Sequence, residues 1–330
     1  MIARSIAAVL LALGLAALAH AQQIGGFPPG VFLDRGALDP VVASYSGPGD
    51  VVSGAYMWWG LRCYTATYSG NVVDITDSAT GNTTGTRLQC STGGVISAVV
   101  SASACTFVTG NACSPLLTTC ALACNVEKLY DQSGNTNCNS AACDIYRPVN
   151  ANRPTLTLNC VNTTLSCISF VGTALTLTSV SQVIPTAAQP LTYSIMSVRT
   201  GSFTTEQYIA SDSGINNIIE YKAANTVQMY AGSAFKAATA SDSSFHALQA
   251  ILSGTSSVFD VDGTDTPENT PGTSGITSGG HILLGNSGAA SYQLTEAGVW
   301  NSAFTTGAGS QAAKMCHNQR LYWLADSSTC

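Results

Sequence analysis

Val258-Phe259-Asp260-Val261-Asp262-Gly263 reads as a β-strand running into a two-residue hairpin turn. The run is β-branched and aromatic, and Asp-Gly supplies the positive φ values that such a turn requires. Runs of similar length, rich in Thr, Leu, Ile and Val, recur at 155–158, 167–170, 175–177, 191–198, 218–221, 227–230, 246–252, 282–284 and 294–300. Gly, Ser, Asn and Asp clusters separate them at intervals of roughly 8 to 20 residues, the pattern of a β-sandwich and not of βαβ units. Ala231-Gly232-Ser233 marks another turn. Towards the N-terminus, Ala55 to Arg62 is apolar and aromatic, Tyr64 to Tyr68 alternates, and Val72 to Ile75 predicts a further strand, with Thr80-Gly81-Asn82 as its turn. Only Gly309 to Leu324 has helical spacing, through Ala312, Met315, Gln319 and Tyr322, with Cys316 and Cys330 expected to be tied down.

Met1 to Ala21 has a basic start at Arg4, an apolar run and the small-x-small site Ala19-His20-Ala21, which predicts a cleaved export signal. The apolar run is shorter than the roughly 20 residues that span a bilayer, so no membrane anchor is expected. Residues 22–54, with Gly25-Gly26, Pro28-Pro29 and Gly47-Pro48-Gly49, read as a Gly/Pro-rich leader, and 55–330 as a single domain. A chain of this length can bury about three quarters of its unfolded surface.

Twelve basic and eighteen acidic residues in 330 give a net charge of −6. Nucleic acid is not an expected partner, because phosphate binding needs clustered Lys and Arg. Abundant hydroxyls and amides suit a neutral partner such as a glycan. All twelve cysteines follow the predicted cleavage site, and an even count in an exported chain favours disulfides. Seven of them fall between residues 90 and 143, with two more at 160 and 167, which suggests a stapled, loop-rich N-terminal half. No zinc-knuckle spacing occurs, and His246, His281 and His317 are isolated, so neither metal nor cofactor is expected. Asn82 and Asn162 are glycosylation sequons. Gly307 to Ala312 matches a dinucleotide fingerprint but lacks the βαβ context, and no nucleophile elbow or phosphate loop is present.

Lys128-Leu129-Tyr130-Asp131-Gln132-Ser133-Gly134-Asn135 is a short apolar run ending in a tight polar turn, in which Asp131 and Gln132 either hold the turn or contact a ligand. Taken in order, Tyr64 to Gly70, Asp74-Ile75-Thr76, the pair Cys120 and Cys124, and this turn resemble the N-terminal half of the α-L-arabinofuranosidase B catalytic domain. The later part resembles both that domain and the wider laminin G-like, concanavalin A-like jelly rolls, through Phe259 to Gly263, His281 to Gly285 and Leu294 to Trp300. The resemblance covers residues 55 to 325. It implies an all-β jelly-roll sandwich and retaining hydrolysis of terminal α-L-arabinofuranosyl residues from plant polysaccharide.

Retaining hydrolysis needs two carboxylates about 5–5.5 Å apart. Matching Gln228 to Gly232 with the family pattern puts Thr226 where the resemblance implies the nucleophilic Glu. Matching Ile282 to Gly285 puts Asn286, Ser287 or Gly288 where it implies the general acid. The vicinal cysteine pair of that family is absent. Glu220 is then the first substitute, since it alternates with Ile218 and Lys222 on one strand face; a solvent-facing Glu paired with Lys222 is the other reading. Glu296 is the second, as a buried acid or a structural one. Asp212 reads as a turn residue or a loop acid, and Asp260 and Asp262 as hairpin residues. Trp58, Trp59, Tyr208, Tyr221, Tyr230 and Tyr292 could stack on sugars or fill the core, and Tyr221, Tyr230 and Asp212 are the expected substrate contacts. The expectation is a monomeric, secreted or periplasmic glycan-directed protein. Its alternatives are a noncatalytic carbohydrate-binding or adhesion jelly roll, and a structural sandwich with no ligand.

Overall fold

The computed structural model describes residues 45–77, 86–91, 93–100, 124–136, 143–161, 165–173, 175–179, 186–201, 207–212, 217–234, 236–240, 244–268, 271–276, 282–285, 289–326, 328 and 330. In chain order the strands are β1 Met57–Gly60, β2 Gly70–Asp77, β3 Thr86–Ser91, β4 Val95–Val100, β5 Cys124–Leu129, β6 Ile145–Tyr146, β7 Thr155–Val161, β8 Leu165–Thr173, β9 Thr176–Ser179 and β10 Leu191–Arg199. They continue as β11 Gln207–Asp212, β12 Ile218–Ala223, β13 Thr226–Tyr230, β14 Lys236–Thr239, β15 His246–Leu252, β16 Ser257–Val261, β17 Thr264–Glu268, β18 Ile282–Gly285 and β19 Ala289–Trp300. Two α-helices are described, α1 at Pro48–Val51 and α2 at Gln311–Leu324.

The strands form an antiparallel sandwich of the jelly-roll type. One layer runs β17–β16–β15–β10–β19–β8–β7, with β1 beside the C-terminal half of β19. The other runs β14–β13–β12–β11–β18–β9–β6. They meet at β5, which pairs with β7 through Cys124 and Asn125, with β6 through Lys128 and Leu129, and with β2 along its other edge.

Alternation decides what enters the core, since successive side chains point to opposite faces. On β19, Leu294 and, beyond a bulge opposite Met196/Ser197, Ala297 and Val299 face the interior. There the Tyr292 ring stacks on Phe170 at 4.9 Å and lies 6.4 Å from Tyr221 of the opposite layer. Glu296, Gly298 and Trp300 take the outer face. A second cluster forms on that face, where Trp58, Tyr64, Ile251 and Trp300 pack against Phe304 and against Ala312 and Met315 of α2. Glycine is required at 298, because a Cβ there would sit 2.4 Å from the Trp58 ring.

The Asp-Gly hairpin forms as the sequence predicts, with φ of 54° at Asp262 and 82° at Gly263. The helix over 311–324 forms too, and Cys316 is bonded to Cys330. Cys63–Cys90 and Cys160–Cys167 are the other pairings described, and Cys124 and Cys143 are also disulfide-bonded. No helix among the described residues is long and apolar enough to cross a membrane.

Tyr64 to Tyr68 is not a strand. Its backbone is drawn into turns, as the Gly49 N–H donates to the Tyr64 carbonyl at 2.7 Å and the Ala66 N–H to Asp50 at 2.8 Å, while Tyr64 packs 5.7 Å from Trp58. Of the predicted leader, residues 45–54 pack on the sandwich. Val52 joins the outer cluster, and Asn318 of α2 donates to the Ser46 carbonyl at 2.9 Å. The predicted export signal, the turn at Thr80 to Asn82, and both sequons lie outside the described residues.

Candidate functional site

The turn after β5 is a clamp. Asp131 Oδ1 accepts the N–H of Trp58 at 2.9 Å and that of Ser133 at 3.0 Å, while Oδ2 accepts the Ser133 hydroxyl at 2.9 Å. Gln132 donates its own N–H to the Trp58 carbonyl at 2.9 Å and its amide Nε2 to the Gly60 carbonyl at 3.1 Å, and its Oε1 accepts the Tyr64 N–H at 3.0 Å. Burial pushes the Asp131 carboxyl up to about 6 against the pull of these donors. Both side chains are spent on holding β1 in place, which is the turn-holding reading of the sequence.

Glu220 occupies the centre of β12, opposite Tyr208 of β11 and Gln228 of β13. Its neighbour Tyr221 points into the core, so Glu220 faces outward from its layer, and it is nevertheless fully buried. Oε1 accepts a short hydrogen bond from the Gln228 amide, and Oε2 has no partner among the described residues. Burial raises the carboxyl above the ordinary Glu range, and the Gln228 bond opposes it. Tyr230, two residues along from Gln228, shares this face and is half-buried. The arrangement leaves one carboxyl oxygen buried beside an amide, near a tyrosine and without a hydrogen bond among the described residues.

Glu296 has a different setting. Arg62 grips it with two bonds, Nε to Oε2 at 2.5 Å and a terminal guanidinium N–H to Oε1 at 2.8 Å, and both side chains are completely buried. The guanidinium lies 4.7 Å over the ring of Tyr322 on α2. Glu296 therefore anchors the helix to the outer face of the first layer, whereas Glu220 lies on the outer face of the second. The structure does not bring the two together as a catalytic pair.

Tyr221 is turned into the core, with its hydroxyl 3.0 Å from that of Ser197, which leaves it no face for a sugar. Tyr292, Trp58 and Trp59 are likewise interior, and the Trp59 indole N–H donates to the Cys143 carbonyl at 2.7 Å. Thr226 sits at the start of β13, its hydroxyl donating to the Ala224 carbonyl at 3.2 Å within the connecting turn. Asp212 ends β11 opposite Ile282. The Asp212 and Tyr208 side chains, and Asn286, Ser287 and Gly288 altogether, lie outside the described residues.

One cluster escaped the sequence reading. Arg87 of β3 binds Asp74 of β2 through two bonds, at 2.8 and 3.0 Å, and donates to the Tyr130 hydroxyl at 2.5 Å, which in turn donates to Asp74 at 2.7 Å. Lys128 lies 4.4 Å over the Tyr130 ring and pairs with Asp144 at 2.7 Å. Burial first, then the hydrogen bond to Asp74, pushes the Tyr130 hydroxyl far above its ordinary value. Register brings these residues together across three strands, and no linear spacing encodes it.

No protein-family model matches the chain, and no curated protein matches it. Among solved structures, Trypanosoma rangeli sialidase is similar at 10% identity and a TM-score of 0.34, over 55% of this chain and 31% of the sialidase. The Botulinum Neurotoxin Type G Receptor Binding Domain is similar at 7% identity and a TM-score of 0.35, over 55% of this chain and 50% of that domain. The serotype D binding domain gives 8% identity and a TM-score of 0.36, over 54% and 46%. The chain thus spans about a third of the sialidase and half or less of the toxin domains. Likenesses this distant assign no activity.

Proposed function

We propose that this chain is an exported, monomeric, glycan-directed β-sandwich that engages sugar on the outward face of β11, β12 and β13. The observation that carries this reading is the buried Oε2 of Glu220, without a partner among the described residues and beside Gln228 and Tyr230. Burial raises the carboxyl above the ordinary Glu range and so favours the protonated form that can donate to a sugar oxygen, while the Gln228 amide fixes its orientation. The low charge and the hydroxyl-rich composition suit a neutral partner, and the disulfides suit an oxidising compartment.

In the first reading the face binds glycan without cleaving it. The opposite placement of Glu296 favours this, because retaining hydrolysis needs a second carboxylate within about 5.5 Å. In the second reading the protein is a hydrolase of the α-L-arabinofuranosidase type with Glu220 as its acid, and the raised pKa favours that. Glycan-array binding and release of para-nitrophenol from para-nitrophenyl α-L-arabinofuranoside separate the two. Binding without turnover, lost in Glu220→Gln and Tyr230→Ala, supports the first reading; turnover lost in Glu220→Gln supports the second. Wild-type protein that neither binds nor cleaves, or variants that match it, would overturn the assignment.

A further inference from the structure

Beneath the approach to α2, on the outer face of the first layer, lies a cavity of about 240 Å³ whose walls include Asp260, Asp265, Gly307, Ala308 and Ala313. No Lys, Arg or His side chain lines it. Phe259 and Val261 point into the core, so Asp260 between them points out, and it is only 2% exposed. Asp265 is its direct cross-strand partner. Residues directly opposite share a face with their Cβ atoms about 4.5–5.5 Å apart, a spacing at which like charges destabilise a sheet. Each carboxylate accepts one backbone N–H, Asp260 Oδ1 from Gly263 at 3.0 Å and Asp265 Oδ2 from Gly307 at 3.1 Å. Neither side chain forms an ion pair among the described residues. The cations of the neighbouring elements are committed elsewhere: His246 and Arg320 hold Asp262, Arg320 also holds Asp326, and Lys314 is exposed. The N-terminus of α2 supplies about half a positive charge, too little to offset two carboxylates.

A separate feature of the same face points to a ligand. Gln249 of β15 is the other cross-strand neighbour of Asp260, and it is completely buried. Leu248 and Ala250 face the core, so Gln249 lies on the same outer face. Its Nε2 donates to the Ala312 carbonyl at the start of α2, at 3.0 Å, while its Oε1 has no partner among the described residues. A buried amide oxygen left without a donor is costly. Register thus lines up Gln249, Asp260 and Asp265 on three adjacent strands, each offering oxygen.

We propose that Gln249 Oε1, Asp260 and Asp265 bind a hard divalent cation at the wall of this cavity. Calcium fits best, since it accepts irregular sets of about six to eight carboxylate, amide and water oxygens, and the cavity has room for the waters. Magnesium demands a near-ideal octahedron. Softer metals favour sulfur or nitrogen, which this wall lacks, Cys330 being bonded to Cys316. The expectation of no metal rested on cysteine and histidine, whereas this site is built of oxygen alone. Bound there, the ion offsets the facing carboxylates and ties β15 and the β16–β17 hairpin to the approach to α2.

Two charged ligands are few for calcium, so the expected Kd is about 10⁻⁴–10⁻³ M. Calorimetric titration of calcium chloride into the metal-stripped full chain, at constant ionic strength, should show one site in that range. The amide resonances of Gly263 and Gly307, which donate to the two carboxylates, should shift as it fills. Asp265→Asn, at an exposed position, keeps an oxygen for the Gly307 N–H and removes the facing charge. Without calcium this variant should melt no lower than wild type, and it should bind calcium at least about tenfold more weakly. Gln249→Met should weaken binding too. No binding up to about 10 mM calcium, an affinity that either variant leaves unchanged, or amide shifts confined to other parts of the chain would each overturn the site.

Discussion

Gln132 contacts three backbone groups of the segment from Trp58 to Tyr64, so truncating it leaves a buried N–H and a buried carbonyl without partners. Gln132→Ala should cost about 3 kcal/mol in a denaturant titration, since each orphaned group costs about 1–3 kcal/mol. The Arg62–Glu296 pair follows a different rule. Removing one partner strands a buried charge, so Arg62→Ala should cost about 3–5 kcal/mol, while the double change Arg62→Met with Glu296→Leu should cost much less. At Glu220 the folded-state pKa is raised, so the wild-type chain loses stability as pH rises from the ordinary Glu range through that value. Glu220→Gln lacks this loss. Its melting temperature relative to wild type should therefore climb with pH, and a constant difference would contradict the burial of this carboxyl.

At the scale of elements, α2 is held by a cap, a staple and its packing. Ser310 caps it by accepting the Ala313 N–H at 3.2 Å, and Ser310→Ala should cost about 1 kcal/mol. The Cys316–Cys330 bond closes a loop with a sequence separation of 14, so replacing both cysteines with Ser should cost about 3 kcal/mol in the chain-entropy account. If the helix docks independently of its tail, the double variant will melt with the wild-type chain. The helix was legible in advance because its apolar residues recur at helical spacing. The β16–β17 hairpin was legible because Asp-Gly can hold two positive φ values in succession. Tyr64 to Tyr68 misled, since its alternation matches a strand while Tyr64 is drawn against Trp58 and the backbone is claimed by Asp50 and Gly49.

Across the whole molecule, Phe170, Tyr292 and Tyr221 tie the two layers together, with Phe170 stacked on Tyr292 and Tyr221 beside it. Phe170→Ala should cost about 3–5 kcal/mol and shift tertiary and secondary signals together, because both layers share one core. Two separated transitions would show that the layers unfold independently. Periodicity and turn chemistry are local, and they determined an all-β sandwich with one C-terminal helix and disulfide staples. Partnership is not local. The sequence presented Glu220 as the first and Glu296 as the second substitute carboxylate, yet the fold put Gln228 and an oxygen without a partner among the described residues at one and Arg62 beneath a helix at the other. Asp74, Arg87 and Tyr130 stand far apart in the chain, and only strand register made them neighbours. Which side of a sheet a residue faces depends on bulges and pairing, such as the shift opposite Met196 and Ser197, so only the tertiary structure decided which carboxyl was held by an arginine and which by an amide.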